Sequence, residues 1–294
     1  YYITSESMTL TKQSSKIPVF LHIPKNAGTY VIHVLTKYFN RLCGDCKGMN
    51  MQRLTVTGDN YNLTIFARFR TDYWKTDKNI TEHHIRALRA KMTKLPTLKT
   101  YIENDQLDIL SIVIEPESGE LRPSFSLVHQ ILNICRSSGV YFTISREPLS
   151  RQQSLYYYLT GQESSHEPTH GSIKQHSFIE YLNSKSLEDS WLIRAVTGMQ
   201  ELWEITEFWF DMACNLFDSL NFKIKDIRET DILIDEVLQE CFDSPMVISD
   251  RDNSLRNSTN IKNKITIDDL DDATRSKFEA HTHWDRKIWE RYCK

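Results

Sequence analysis

Residues 19–30, with the sequence VFLHIPKNAGTY, constrain the fold of this chain more than any other segment. The apolar run from Val19 to Ile23 is typical of a strand that is buried on both faces. Pro24 interrupts the strand because proline has no N–H to donate, and a loop of small residues follows. From Thr29 onward, apolar residues recur with helical spacing. A strand, a tight loop and a helix N terminus favour a bound anion, so we predict a phosphate-binding loop here.

A second segment, residues 141–158, combines a strand end with different phosphate-binding side chains. Tyr141 to Ile144 predict a strand, Arg146 follows at its carboxyl end, and Pro148 suits the first turn of a helix. The guanidinium is a planar fork of donors that matches phosphate oxygens, and the Ser154 hydroxyl can donate to the same group. Two phosphate-binding segments, each at the end of a strand, fit a ligand with phosphates at both ends. Taken singly, Arg146 could form a helix-terminal ion pair and Ser154 could be a surface residue.

These two segments together resemble a known family of enzymes. The chain lacks both G-x-x-x-x-G-K-[ST] and G-x-G-x-x-G. The string HIPKNAGT instead resembles the 5′-phosphosulfate loop of the membrane-associated sulfotransferases, whose usual form is close to HIPKTAGT. Residues 146–157 are similar to the family's 3′-phosphate site, R-[DE]-P-x-x-R-x-x-S-x-Y-Y, and the Arg-to-Ser spacing of eight fits. The resemblance implies transfer of a sulfuryl group from 3′-phosphoadenosine 5′-phosphosulfate (PAPS), with PAP as the product.

The resemblance also implies a set of donor-binding residues. Residues 254–259 resemble the basic-hydroxyl segment that closes over the nucleotide in the uronyl and heparan sulfate 2-O-sulfotransferase branch, although a solvated loop is the alternative. The donor contacts that the three matches imply are Lys25, Asn26, Ala27, Gly28, Thr29, Tyr30, Arg146, Ser154, Arg256 and Ser258.

The chemistry of sulfuryl transfer assigns further roles. The enzyme must neutralise charge on the leaving phosphate, accept a proton from the acceptor and align both groups. Lys25 and the loop N–H groups suit the first role, so no metal is expected. The 2-O branch has a histidine-rich segment where this chain has Glu115 and Glu117, and we predict that one of them is the general base. His129 and the pair His83–His84 are the alternatives, and each of these side chains could instead be an ordinary polar residue. His22 is predicted to be structural.

The remaining pattern predicts an α/β protein. Residues 108–115 form a β-branched run typical of a central parallel strand, and residues 62–69 alternate weakly as a further strand would. Strands that alternate with helices predict a P-loop-like, three-layer fold with a central parallel β-sheet flanked by helices. We expect a loose lead-in over residues 1–16 and one sulfotransferase domain over residues 17–294.

Several local features carry narrower predictions. Glycines over residues 43–61 indicate a loop. Ser124 or Ser126 is expected to cap a helix that ends at Gly139, and residues 268–292 are expected to form one last helix capped by Asp268. Cys135 and Cys214 lie in apolar helical patterns and are predicted to be core residues. The only C-x-x-C pair, Cys43 and Cys46, is weak support for a zinc site.

Composition limits the choice of partners. The net charge of −3 argues against nucleic acid, and it also favours a less anionic glycan over a long polyanion. The most basic run, residues 86–99, could serve as a glycan groove or be the solvated face of a helix. No apolar run approaches a membrane span. The first residue is Tyr rather than Met, so we expect a trimmed N terminus, with a Golgi lumen location if an anchor preceded it and a cytoplasmic one otherwise.

The sequence therefore predicts a PAPS-dependent sulfotransferase that transfers a sulfuryl group to an acceptor hydroxyl. The first choice of acceptor is a glycan. Sulfation of a small-molecule alcohol is an alternative within the same chemistry. A catalytically inactive nucleotide- or glycan-binding protein of the same fold is a second alternative, because the base position departs from the family pattern. An ATP-dependent phosphotransferase would need a Walker-type lysine and a magnesium-binding aspartate at a strand end, and the sequence shows neither.

Overall fold

The computed structural model describes residues 16–42, 52–57, 62–69, 94–114, 125–160, 177–183, 190–199, 203–242 and 264–294. Within these ranges the protein is an α/β structure, with a six-stranded mixed sheet and helices packed against both of its faces. Nearly all of the predicted lead-in at residues 1–16 lies outside the described residues.

The sheet has the strand order β2-β3-β4-β1-β5-β6. The strands are β1 (Ile17–His22), β2 (Gln52–Thr57), β3 (Asn62–Phe69), β4 (Leu107–Val113), β5 (Gly139–Ser145) and β6 (Lys223–Asp226). Strands β4, β1, β5 and β6 run parallel, as predicted for the centre of the sheet. Strand β1 lies between β4 and β5, so its carboxyl end lies near the middle of the row of strand ends.

The prediction of a parallel sheet is wrong at one edge. Strand β3 is antiparallel to both β4 and β2, which makes the sheet mixed. Only residues 58–61 separate β2 from β3 in the chain, and so short a connection can join antiparallel but not parallel strands. Strand β2 itself lies within the segment that the glycines suggested was a loop. Its alternating pattern, with Leu54 and Val56 buried, is a strand signal that the flanking glycines obscured.

Ten α-helices occur among the described residues. They are α1 (Gly28–Leu42), α2 (Leu95–Glu103), α3 (Phe125–Ile134), α4 (Pro148–Thr160), α5 (Phe178–Asn183), α6 (Trp191–Thr197), α7 (Glu207–Ser219), α8 (Thr230–Cys241), α9 (Asp272–His281) and α10 (His283–Cys293). Short 3₁₀ helices at Ile227–Glu229 and Ile267–Asp269 precede α8 and α9.

Three predicted helix boundaries are wrong. The final helical segment is two helices, α9 and α10, which meet at the buried Thr282. Asp271 rather than Asp268 caps α9, because its carboxylate accepts the N–H of Thr274 at 2.8 Å. Ser126 lies inside α3, and Gly139 begins β5 rather than ending the preceding helix. Ser124, the other predicted cap of α3, lies outside the described residues.

Two buried clusters of the described residues lie on opposite faces of β1 and β5, and a third lies among α4, α5 and α9. Ile17, Val19 and Leu21 of β1 pack with the helices α3, α6 and α7, whereas Phe20 points to the opposite face with α1 and α8. Cys135 and Cys214 are buried in the first cluster, as predicted. Strand β1 is therefore buried on both faces up to Leu21, and the partly buried His22 ends it.

Arg68 is the largest fully buried side chain, and it links α1 to the sheet. Its guanidinium donates to the carbonyls of Thr36 and Phe39 near the end of α1, at 3.4 and 3.3 Å. On the other side its Nε lies 3.3 Å from Asp108 Oδ2 of β4. A buried charge needs this many partners because its desolvation otherwise costs more than it gains.

We predict that Arg68→Leu destabilises the protein by about 3–5 kcal/mol, since Asp108 would stay buried without its cation. Chemical denaturation of the two proteins measures the difference in unfolding free energy. Arg53→Leu on β2 is the control, because Arg53 is exposed and its loss should change stability by less than about 0.5 kcal/mol. Equal losses in both variants would show that the buried ion pair has no special role.

Candidate functional site

The loop between β1 and α1 has an unusual backbone for its composition. Lys25 and Ala27 both adopt left-handed φ values, 64° and 59°, although neither is glycine. Each such residue costs about 1–2 kcal/mol and persists only where its surroundings enforce it. The Asn26 N–H donates to Ile23 O at 3.3 Å, and the Val31 N–H donates to Ala27 O at 3.1 Å as α1 begins. The loop is therefore a tight, defined turn that leads directly into a helix N terminus.

Two hydrogen bonds tie this loop to the neighbouring strand. Asn26 is only 3% exposed, and its amide donates to Ile144 O of β5 at 2.9 Å. Arg146, just beyond β5, donates from Nη1 to Lys25 O at 3.4 Å. The two segments that the sequence singled out thus lie side by side at the carboxyl edge of the sheet, where ligands bind in open α/β sheets.

His22, the last residue of β1, packs against Gly28, the first residue of α1, at the two ends of the loop. A Cβ at Gly28 would lie 1.8 Å from His22 Nε2 and 1.9 Å from its Cδ2, so only glycine permits the imidazole to pack there. The ring also stacks on Phe20, with 5.6 Å between centroids. Although a small part of the residue reaches solvent, protein atoms surround the ring, and this burial lowers the pKa of His22 to about 4. His22 is therefore neutral at pH 7, which fits a packing role.

Arg146 is oriented by the start of α4. Its Nε donates to Ser150 Oγ at 2.9 Å. Glu147 caps the helix, since its carboxylate accepts the N–H groups of Leu149 and Ser150 at 3.1 and 2.8 Å. Burial lowers the pKa of Arg146 from its ordinary value, while the carboxylates of Glu147 and Asp226 act to raise it, and an arginine stays charged throughout.

Ser150 is a partner of Arg146 that the sequence did not single out. Its hydroxyl oxygen accepts from the guanidinium, whereas Ser154, the predicted phosphate contact, is 2% exposed on α4. The contact of Ser154 with a phosphate stays a prediction.

A small pocket extends inward from Arg146 between β1, β5, α4, α6 and α10. Arg151 is 6% exposed in its wall, where the guanidinium lies 5.3 Å from the centre of the Trp191 ring and 3.9 Å from Asp285 Oδ2. Asp285 Oδ2 also accepts the N–H of Ser190 at 3.0 Å. Arg151 occupies the second arginine position of the phosphate motif and could have been found from it. No local pattern points to Trp191, which comes from a distant part of the chain.

The last helix, α10, also contacts the strand ends. Trp289 Nε1 donates to Asp226 Oδ2 at 2.8 Å, at the carboxyl end of β6. Burial acts to raise the pKa of Asp226, but hydrogen bonds from Arg228 and Trp289 offset it, and the pKa is lower than usual. Asp226 is therefore a carboxylate at neutral pH, held by its donors close to Arg146.

The structure brings together most of the predicted donor-binding segment. Lys25 to Tyr30 and Arg146 lie at one edge of the sheet. Thr29 is exposed in the first turn of α1, while Tyr30 is buried and its hydroxyl donates to Asp231 Oδ1 at 2.7 Å. Some predicted residues lie outside the described residues, and they are Glu115, Glu117, His83, His84, Arg256 and Ser258.

His129 is described and lies on α3. Its Nδ1 is 2.6 Å from Val196 O, and its Nε2 is 2.9 Å from Asn133 Nδ2. A carbonyl can only accept, so Nδ1 carries the proton and Nε2 accepts from the amide. Both ring nitrogens are thus engaged, Nδ1 with α6 and Nε2 with a neighbour on α3, and a base at this position would have to break one of these contacts.

Comparisons with known proteins return no match, whether with family models, with curated proteins or with solved structures. None of the described helices is long and apolar enough to cross a bilayer. Within the same residues, no group of three or more histidine, cysteine, aspartate or glutamate side chains is arranged to hold a metal ion.

We predict that Gly28→Ala destabilises the protein by about 1–3 kcal/mol, because the new methyl group overlaps the His22 ring. Thermal unfolding measures the loss. In the Gly28→Ala background, His22→Ala should restore part of the stability, since it removes the group with which the methyl group collides. A double variant that loses the sum of both single effects would contradict this contact.

We also predict a pH dependence of stability that depends on His22. The folded-state pKa of about 4 lies below the ordinary value of 6.5, so protonation favours the unfolded chain. The stabilisation is complete above pH 6.5 and is lost as the pH falls from 6.5 to 4, with a total of about 3 kcal/mol. Urea denaturation of wild type and His22→Gln at a series of pH values measures it. The difference between the two proteins should shrink with falling pH, and a constant difference would refute the assignment.

Proposed function

We propose that this protein is a PAPS-dependent sulfotransferase with a P-loop-like, three-layer α/β fold, acting on a hydroxyl of a glycan. One observation carries the proposal: the Lys25 loop and Arg146 are hydrogen-bonded to each other at the carboxyl ends of adjacent parallel strands. Two cationic anion-binding segments at adjacent strand ends suit a nucleotide with phosphate groups on both its 3′ and 5′ sides.

The residues of the site fit the donor in two parts. The N–H groups of the first turn of α1 have no partner inside the helix, and they face the loop that Lys25 and Asn26 form. They would hold the 5′-phosphosulfate, with Lys25 neutralising negative charge. Arg146, fixed by Ser150, would hold the 3′-phosphate. When bound, the donor supplies a sulfuryl group whose bond to a phosphate oxygen breaks as a bond to the acceptor oxygen forms.

The acceptor proton must pass to a base. Glu115 and Glu117 follow β4, which neighbours β1, and they remain our prediction for this role. Desolvation in a closed site would raise the pKa of a carboxyl group into a useful range. The net charge of −3 supports an acceptor with few negative charges, since a long polyanion would require a basic groove.

The first test is calorimetric titration with adenosine 3′,5′-bisphosphate and with ADP. We predict clear preference for the bisphosphate, and a loss of about 10- to 100-fold in its affinity in Arg146→Ala, since a charged hydrogen-bonding partner of the phosphate is removed.

The matched control is Arg136→Ala, because Arg136 is exposed in the turn before β5, at the opposite edge of the sheet. It should bind the bisphosphate as wild type does. Equal affinity for both nucleotides, or no binding of the bisphosphate, would exclude the donor site. Bisphosphate binding without sulfation of any saccharide or alcohol would instead support the inactive binding protein.

A further inference from the structure

The Lys25 side chain makes a specific contact with α4. The backbone of the loop is fixed by Asn26 and Arg146, but this does not determine where the ammonium group lies. The ammonium nitrogen lies 4.1 Å from the centre of the Tyr158 ring, well within the range of a cation–π interaction. Lys25 is thus directed by a residue of the neighbouring motif, far from it in sequence.

Two tyrosines of α4, Tyr156 and Tyr158, differ in their exposure and their ring contacts. The helix is anchored by Tyr156, whose ring lies 5.4 Å from Phe178 and 5.5 Å from Tyr181. The Tyr181 hydroxyl in turn donates to Gln152 Oε1 at 2.8 Å. Tyr158, by contrast, is 39% exposed, so only part of its ring area contributes to burial.

An aromatic ring is a suitable partner for a lysine that must meet an anion. The four-carbon stem of lysine has many rotamers, and fixing it on binding costs entropy. A carboxylate partner would fix the stem, but it would also neutralise the ammonium and repel an incoming phosphate. The face of a ring attracts the ammonium through its quadrupole and carries no net charge, so this contact does not itself neutralise the lysine.

We propose that Tyr158 is a positioning residue that acts through Lys25, holding the ammonium at the mouth of the loop before an anionic ligand arrives. The inference rests on the proposed function, since it assigns Lys25 to the phosphosulfate. It predicts that the contribution of Tyr158 to ligand binding depends entirely on Lys25.

A double-mutant cycle tests this dependence. Wild type, Tyr158→Leu, Lys25→Ala and the double variant are titrated with adenosine 3′,5′-bisphosphate. Tyr158→Leu should weaken binding about two- to fivefold when Lys25 is present, and should have no effect in the Lys25→Ala background. Tyr158→Phe should bind as wild type does, because its ring retains the cation–π attraction.

Four results would overturn the proposal. Tighter binding by Tyr158→Leu would mean that the ring holds the ammonium away from the ligand. An equal loss in both Lys25 backgrounds would indicate a structural effect, as would a loss of similar size in Tyr157→Leu, which alters the adjacent half-buried ring. A loss in Tyr158→Phe equal to that in Tyr158→Leu would assign the effect to the hydroxyl group.

A second measurement separates this inference from the proposed function. Lys25 is labelled with an amine-acetylating reagent, and its modification rate is followed by peptide mass spectrometry in the absence of nucleotide. The ring covers one side of the amine, so Tyr158→Leu should speed labelling at least about twofold, while Tyr158→Phe should not. Equal rates in all three proteins would refute the contact. If wild type fails to bind the bisphosphate but the labelling rates differ as expected, the donor assignment fails and the positioning of Lys25 stands.

Discussion

The hydrogen bond from the Asn26 amide to Ile144 O is the interaction on which the site depends. It joins the loop after β1 to the end of β5, and it is fully buried, so water cannot replace it without rearrangement. The left-handed backbone at Lys25 and Ala27 is tolerable only because this bond and the Arg146 bond to Lys25 O fix the turn. The pairing of β1 with β5 therefore fixes the relative positions of the two segments that carry Lys25 and Arg146.

The distribution of charge at the site follows from burial. His22 lies directly beneath the loop, and its depressed pKa means that it adds no positive charge at neutral pH. Lys25 and Arg146 therefore supply the positive charge. A ring face contacts Lys25, and a hydroxyl and a carbonyl accept from Arg146, which also lies near the carboxylates of Glu147 and Asp226. Deeper in the pocket, Arg151 lies near a carboxylate, which makes it more a structural cation than a ligand-binding one.

Local sequence signals were sufficient where a feature depends on neighbours in the chain. The apolar run of β1, the small-residue loop, the β-branched run of β4 and the position of Arg146 after β5 all follow from such signals. The mixed sheet does not, because the pairing of β3 with β4 is decided by long-range contacts rather than by the weak alternation of β3 itself. Nor does Trp191, since only tertiary packing brings α6 to the pocket. The hydrogen bond from Arg146 to Ser150 was not predicted, because the resemblance assigns the accompanying hydroxyl to Ser154, whose contact with a phosphate stays a prediction.

The C-terminal helix shows how residues far from the two phosphate-binding segments in sequence can complete a site. Along α10, Asp285 faces Arg151 and the start of α6, while Trp289 donates to Asp226 at the end of β6. Both contacts place a polar group of α10 against a strand end or a helix start, where backbone groups lack partners within their own element. Such contacts stabilise the wall of the pocket without contributing to the charge of its mouth. These hydrogen bonds and the ion pair of α10 hold together the elements around the loop after β1. The loop can therefore keep its left-handed residues and its positive charge.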